Sequence, residues 1–203
     1  MSEYRELLRR LSDVNGIPGF ERRVAAMVKD ELQDICEIRN DRLGSIICRL
    51  NSSGPGPKVA LAGHMDEIGF LVKHIAKEGT IKFQNLGGWW DQVLLGQRVV
   101  IETHKGEVVG VIGAKPPHLL SGEERAKMVE KKDMYIDIGA TSKAETEAAG
   151  VRVGDPVVPD SRFAIMAGGK TYLSKAFDNR VGCAVAIDVL RRFQNEAHPN
   201  ALY

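Results

Sequence analysis

The stretch VALAGHMDEIGF, residues 59–70, indicates the fold and raises the functional question. Its first four residues form an apolar run that predicts a buried strand. The run ends at a glycine, and His64, Asp66 and Glu67 follow within four positions. In open α/β sheets the crevice at the carboxyl ends of strands is where ligands bind. His64 and Asp66 are therefore candidate site residues.

The predicted secondary structure changes twice along the chain, from α/β to β and back to α/β. Before the quoted stretch, apolar residues at helical spacing predict two helices, followed by two short strands. Residues 71–165 are short β-like pieces separated by turns, including a predicted hairpin around Lys105-Gly106 and one short helix capped at Ser142. A short strand and a largely apolar helix return in residues 166–203. The sequence therefore predicts an α/β domain made of residues 1–70 and 166–203, interrupted by an inserted β domain over 71–165.

Composition narrows the classes of partner. The chain has 203 residues, with 28 basic and 27 acidic side chains and a formal net charge of +1. This balance gives no electrostatic footprint for nucleic acid or for an anionic membrane. No apolar run approaches the ~20 residues of a membrane span, and no signal-peptide core is present. We expect a cytoplasmic protein that acts on a small molecule, a peptide or a protein partner.

The cysteines do not predict a metal site. Cys36, Cys48 and Cys183 are far apart in sequence and form no Cys-x-x-Cys pair. A thiolate zinc site is therefore not expected, and a reducing compartment fits the three thiols.

A third candidate, Asp178, lies in KAFDNRVG between a predicted strand and a predicted helix. His64 could present a neutral ring nitrogen to a metal ion, while Asp66 accepts a hydrogen bond from the other ring nitrogen. Asp178 could bridge two cations. The residues alone leave the simpler alternatives open: a core histidine, a solvated carboxylate and a helix N-cap, respectively.

Five segments in register carry a family resemblance. AGHMDEIGF, NLGGWWDQVLLGQRV, YIDIGA, GVRVGDPVV and LSKAFDNRVGCAVAIDVL together resemble the glutamyl and tetrahedral aminopeptidases. These are dinuclear metallopeptidases, and the family also includes deblocking aminopeptidases and proteins labelled cellulase M. The resemblance keeps its order and spacing from the first helix to the last residue.

The resemblance implies a fold, a site and a reaction. The fold would be a zinc-peptidase-like α/β/α sandwich, incomplete here, interrupted by a PDZ-like β domain used for dimerisation and assembly. His64 would bind one metal ion, and Asp178 would bridge two divalent ions, zinc or cobalt. Asp66 would be the catalytic aspartate that supports the histidine and the metal-bound water. The peptide bond between Asp178 and Asn179 would be cis.

The implied reaction is the removal of N-terminal residues from peptides by metal-activated water, with a glutamate shuttling the proton. The implied partners are peptide substrates and further copies of the chain, with dimers building a dodecamer. The family's catalytic glutamate pair and its remaining metal ligands lie beyond HPNALY, where this sequence stops. We therefore expect the N-terminal part of a longer aminopeptidase.

Two other functions compete with this one. A complete but inactive subunit would act as an oligomerisation module, with Trp89 and Trp90 either at an interface or in the core of the β domain. A glycoside hydrolase would use Asp66 and Asp178 as its two carboxylates. The histidine beside Asp66 favours a metal site over the hydrolase.

Overall fold

The computed structural model describes residues 3–203, except for the side chain of Glu124. It divides into two compact units. Residues 3–67 together with Arg162–Tyr203 form an α/β unit, and Ile68–Ser161 form a β-barrel unit.

The helices and strands have the following bounds in chain order. They are α1 (Glu3–Asp13), α2 (Arg22–Leu32), β1 (Glu37–Asn40), β2 (Ile46–Arg49), β3 (Lys58–Val59), β4 (Gly69–Ile75), β5 (Ile81–Leu86), β6 (Arg98–Thr103), β7 (Gly106–Gly113), α3 (Gly122–Arg125), β8 (Tyr135–Asp137), α4 (Lys143–Ala148), β9 (Pro156–Pro159), β10 (Ala164–Ile165), β11 (Tyr172–Leu173), α5 (Phe177–Phe193) and β12 (Ala201–Leu202). None of the helices in the described part of the chain is long and apolar enough to cross a membrane.

The core of the α/β unit lies between its three long helices. Each helix repeats apolar residues at intervals of three and four, which places them on one face. The buried side chains are Leu7, Leu8 and Leu11 of α1, Val28 and Leu32 of α2, and Ala184, Ile187 and Leu190 of α5. Strands β1 and β2 form the predicted hairpin beside this core, with Asn40 opposite Ile46. Both predicted helices and the hairpin are therefore confirmed.

The prediction of a buried strand over residues 59–62 is wrong in length and in burial. Strand β3 has only two residues, and it pairs in parallel with β12. The Val59 side chain remains 37% exposed. Beyond the strand, Leu61 N–H still donates to Tyr203 O at 2.7 Å. Among the described residues β12 is the one strand bonded to β3, so a single short neighbour leaves the apolar run uncovered.

The second unit is a closed barrel of six strands in the order β4-β5-β8-β7-β6-β9. All its pairs are antiparallel, and the barrel closes where β4 meets β9, with Phe70 opposite Val157. The hairpin predicted around Lys105-Gly106 is present as β6 and β7. Ser142 caps α4 as predicted, since its Oγ accepts from Glu145 N–H at 3.3 Å.

The two tryptophans differ in burial. Trp89 stacks on Phe70 with ring centroids 4.8 Å apart, and its indole N–H donates to Gly69 O at 3.2 Å. Trp90 is 78% exposed. Trp89 thus belongs to the barrel core, and Trp90 lies on the barrel surface.

Candidate metal centre

His64, Asp66 and Asp178 lie together in the α/β unit. His64 Nε2 is 2.9 Å from Asp178 Oδ1. The other ring nitrogen, Nδ1, is 3.1 Å from Asp66 Oδ1 and 3.2 Å from the Asp66 carbonyl oxygen. The imidazole therefore lies between two carboxylates that are 112 positions apart in sequence (178 − 66).

This arrangement contains one more acceptor than a neutral imidazole can satisfy. A neutral ring carries a single N–H. If Nδ1–H donates to Asp66, the lone pair of Nε2 faces the carboxylate of Asp178. A ring nitrogen lone pair and a carboxylate oxygen 2.9 Å apart repel each other unless a proton or a metal ion is shared between them.

The donor atoms suit part of a divalent-metal site. Imidazole nitrogen and carboxylate oxygen are ligands of both zinc and cobalt. In the described part of the chain, no group of three or more His, Cys, Asp and Glu side chains is placed to hold a metal ion. The residues present therefore fit an incomplete ligand set with His64 and Asp178 as its members.

Two glycines leave room at the contact between the histidine loop and helix α5. A Cβ on Gly63 would lie 3.0 Å from the backbone nitrogen of Cys183, so a larger residue there would push the loop away from the helix. A Cβ on Gly182 would lie only 1.9 Å from Oδ1 of Asn179, which belongs to the same helix. A larger residue at position 182 would therefore displace the side chain of the residue that follows Asp178.

The start of α5 presents Asp178 to this loop. Asp178 has φ −90° and ψ 101°, and Asn179 has φ −124° and ψ 38°, so neither residue is helical. The bond between them is cis, as the family resemblance predicts. The residue at the cap position of this helix is Ala176, and the carboxylate of Asp178 contacts His64.

Sequence reasoning missed a buried group of charges beside these residues. Glu67 and Lys175 are both buried, and Lys175 Nζ donates to Glu67 Oε1 at 2.7 Å. Burial raises the pKa of Glu67 and lowers the pKa of Lys175, and their mutual attraction partly offsets both shifts. Charged side chains are seldom buried unless they are paired. The partner of Glu67 is distant in sequence, so the stretch around His64 gives no sign that Glu67 is buried.

A cleft of about 480 Å³ lies beside His64 and Asp66 within the α/β unit. Its walls include apolar side chains of α2 and α5, among them Leu32, Ile187 and Leu190. The candidate ligands therefore border a concave, largely apolar surface, the usual setting of a small-molecule site.

Comparison with known proteins gives a consistent result. A sequence model described as M42 glutamyl aminopeptidase matches residues 44–203. A glutamyl aminopeptidase of Lactococcus lactis is 31% identical over 199 residues, which is 96% of this chain and 56% of that protein. A lysyl aminopeptidase of Pyrococcus furiosus is 35% identical over 152 residues, 73% of this chain and 43% of that protein.

Solved structures agree with the sequence matches. A TET aminopeptidase from a marine-sediment Thaumarchaeota archaeon superposes with a TM-score of 0.94 and 46% identity, covering 99% of this chain and 57% of that one. The TET1 peptidase of Pyrococcus horikoshii, described as assembling into a tetrahedron or a large octahedral shell, gives 0.85 and 32%, covering 98% and 59%. The chain spans about half the length of the relatives it matches.

Proposed function

The chain belongs to the M42 glutamyl aminopeptidase family, and on that premise we propose that it contributes to the active site of a metal-dependent aminopeptidase that removes N-terminal residues from peptides. The observation that carries the proposal is the His64 ring between two carboxylates, with Nε2 facing Asp178 Oδ1 at 2.9 Å. A zinc site in a peptidase of this class needs nitrogen and oxygen donors close enough to share an ion.

Each residue has a defined part in the proposed site. His64 and Asp178 would hold divalent ions, zinc or cobalt, at two per complete subunit. Such ions polarise a carbonyl and lower the pKa of bound water when they are present. Asp66 would accept the Nδ1 proton of His64, whose Nδ1 lies 3.1 Å from Asp66 Oδ1, and would so fix the tautomer that presents Nε2 to a metal. We assign Asp66 the catalytic role of orienting this ligand and the attacking water.

The β-barrel unit has a separate proposed role. We propose that it is the PDZ-like inserted domain and that it forms contacts between copies of the chain, with dimers building a dodecamer. The exposed Trp90 supports an interface on this unit, because tryptophan is enriched where interfaces gain most of their binding energy. One similar solved structure is described as a dodecamer, which is a property of that protein.

Glycoside hydrolysis is not favoured. That reaction needs space between two carboxylates for a glycosidic bond. The His64 ring lies between Asp66 and Asp178 and contacts both, so that space is filled by protein.

Calorimetric titration of the full chain with Zn²⁺, and separately with Co²⁺, tests the proposal. His64→Ala and Asp178→Asn should each abolish measurable binding. His74→Ala removes an exposed histidine from the barrel unit and should leave binding unchanged. Retention of full affinity in both site variants would refute the assignment. Release of N-terminal residues from a peptide mixture, followed by mass spectrometry with and without added ions, tests the reaction.

A further inference from the structure

Arg180 is fully buried and lies two residues after Asp178. Its guanidinium group donates hydrogen bonds to backbone carbonyls from two other segments of the α/β unit. The acceptors are Met65 O at 2.5 Å from Nε, Leu11 O at 2.5 Å and Val14 O at 3.0 Å from Nη1, and Gly16 O at 3.4 Å from Nη2. One side chain thus joins the end of α1, the histidine loop and the start of α5.

Glu67 supplies the negative charge opposite this arginine. Its Oε1 accepts from Lys175 Nζ at 2.7 Å and from Gly16 N–H at 3.1 Å, and it lies 3.8 Å from Arg180 Nη2. Its backbone N–H donates to Gly16 O at 2.9 Å. Two cations and one anion are therefore buried together, next to the loop that carries His64 and Asp66.

A gain in folding stability does not by itself explain why three charged side chains are buried together. Replacing a buried ion pair by apolar side chains of similar volume is often neutral or stabilising, because desolvation offsets the attraction between the charges. What a rigid, planar guanidinium group provides is geometry, since its donors have fixed directions. Here those donors determine where the backbone on either side of the candidate site lies.

Two hydrogen bonds of Arg180 connect it to the backbone next to the candidate metal ligands. Arg180 Nε bonds the carbonyl of Met65, which lies between His64 and Asp66 in the chain. Arg180 N–H bonds Ala176 O, which closes the turn that presents Asp178. We propose that Arg180, Glu67 and Lys175 form a positioning cluster that fixes His64 against Asp178 and thereby raises divalent-cation affinity. This inference rests on the proposed metal-binding function.

The same unit offers a matched control. Glu31 is a carboxylate whose side chain is 7% exposed, and it also lies between two arginines. Arg10 Nη1 is 2.5 Å from Glu31 Oε1, and Arg191 contacts Oε2. Glu31→Gln and Glu67→Gln therefore each remove a buried carboxylate charge that contacts two cations, although Arg10 and Arg191 are more exposed than Lys175 and Arg180. Only Glu67 is adjacent to the candidate ligands.

Zn²⁺ titration of the full chain, with thermal unfolding of each variant, tests the inference. Partners that orient metal ligands typically contribute 10- to 100-fold in metal affinity, so Glu67→Gln should weaken binding by about that factor. Arg180→Lys keeps the charge but loses the planar fork, and it should weaken binding as well. Glu31→Gln should leave affinity unchanged. Equal effects of Glu67→Gln and Glu31→Gln, or no effect of either, would overturn the inference.

A second measurement separates this inference from the proposed function. If the unaltered chain binds no Zn²⁺, the proposed function fails, and amide hydrogen exchange over residues 63–67 decides the inference. Exchange there should be faster in Glu67→Gln than in Glu31→Gln, and equal rates would overturn the positioning role. If Glu67→Gln does not fold, the charge-free pair Glu67→Leu with Lys175→Met replaces it, with the same measurements and the same criteria.

Discussion

Lys175→Met should destabilise the α/β unit by an amount set by the charge it leaves behind. The Lys175 ammonium group is buried and bonds Glu67 Oε1 at 2.7 Å. Removing one partner of a buried ion pair typically costs about 3–5 kcal/mol, because the remaining charge is desolvated. The lower end of that range is expected here, because Arg180 Nη2 lies 3.8 Å from Glu67 Oε1 and still compensates part of the charge. In a chain of this size each kcal/mol shifts the melting temperature by about 2–4 °C, so a loss of about 3 kcal/mol lowers it by roughly 6–12 °C.

The loss should depend on pH in a defined direction. Burial already raises the pKa of Glu67, and without Lys175 that pKa should rise further. An acid whose folded-state pKa is raised contributes stability below its unfolded pKa and loses it as pH increases through the folded value. The difference between Lys175→Met and the unaltered chain should therefore be large at pH 7. It should shrink as the pH falls toward about 4.3, the ordinary value for glutamate.

Circular dichroism at 222 nm follows the relevant unit, because α1, α2 and α5 all belong to it. A variant as stable as the parent, or a loss of stability that is independent of pH, would refute the reasoning.

Three further substitutions test other parts of the structure. Gly182→Ala should weaken Zn²⁺ binding in a calorimetric titration, because its Cβ would lie 1.9 Å from Asn179 Oδ1 and displace the residue that follows Asp178. Phe70→Ala should cost about 3–5 kcal/mol and shift Trp89 emission to longer wavelength in a fluorescence-monitored urea titration, since the ring it stacks on is lost. Ser142→Ala should cost about 0.5–2 kcal/mol by the same titration, because α4 loses its N-cap.

Each of these has an internal comparison. Gly168→Ala adds a methyl group in the α/β unit where no atom lies within 4 Å, and it should leave Zn²⁺ affinity unchanged. Phe193→Ala removes a ring that is partly exposed, and it should not change Trp89 emission. Ser142→Thr keeps a capping hydroxyl and should retain most of the stability. If a test variant and its comparison behave alike, the stated contact is not the cause.

Local sequence patterns predicted the features that depend on nearby residues, namely helices, a hairpin and a helix cap. Helical spacing gave α1 and α2, alternation gave the β6–β7 hairpin, and Ser142 identified the cap of α4. Polar residues at strand ends made His64, Asp66 and Asp178 candidate site residues, and the family resemblance supplied their metal-site roles. The structure brings His64, Asp66 and Asp178 together, although their part in metal binding stays a prediction.

The remaining features depend on contacts that no local pattern reveals. Glu67 and Lys175 are 108 positions apart, and each looks like an ordinary surface charge until its partner is known. The burial of strand β3 was predicted wrongly. An apolar run indicates that a strand is suited to burial, whereas its actual exposure depends on which strands lie beside it. Both cases involve long-range pairing rather than residue preference.

The closure of the barrel has a consequence for how the chain can vary. Strands β4 and β9 begin and end the Ile68–Ser161 unit, and they pair with each other. Paired strands lie about 4.8 Å apart, so the polypeptide enters and leaves this unit at neighbouring points. The entropy cost of bringing two chain segments together grows with the length of the flexible loop between them. A folded domain whose ends are adjacent counts as a short loop, because its internal residues are already ordered. Longer turns or altered residues within the barrel would therefore leave the points at which the chain enters and leaves it side by side, as long as β4 and β9 stay paired.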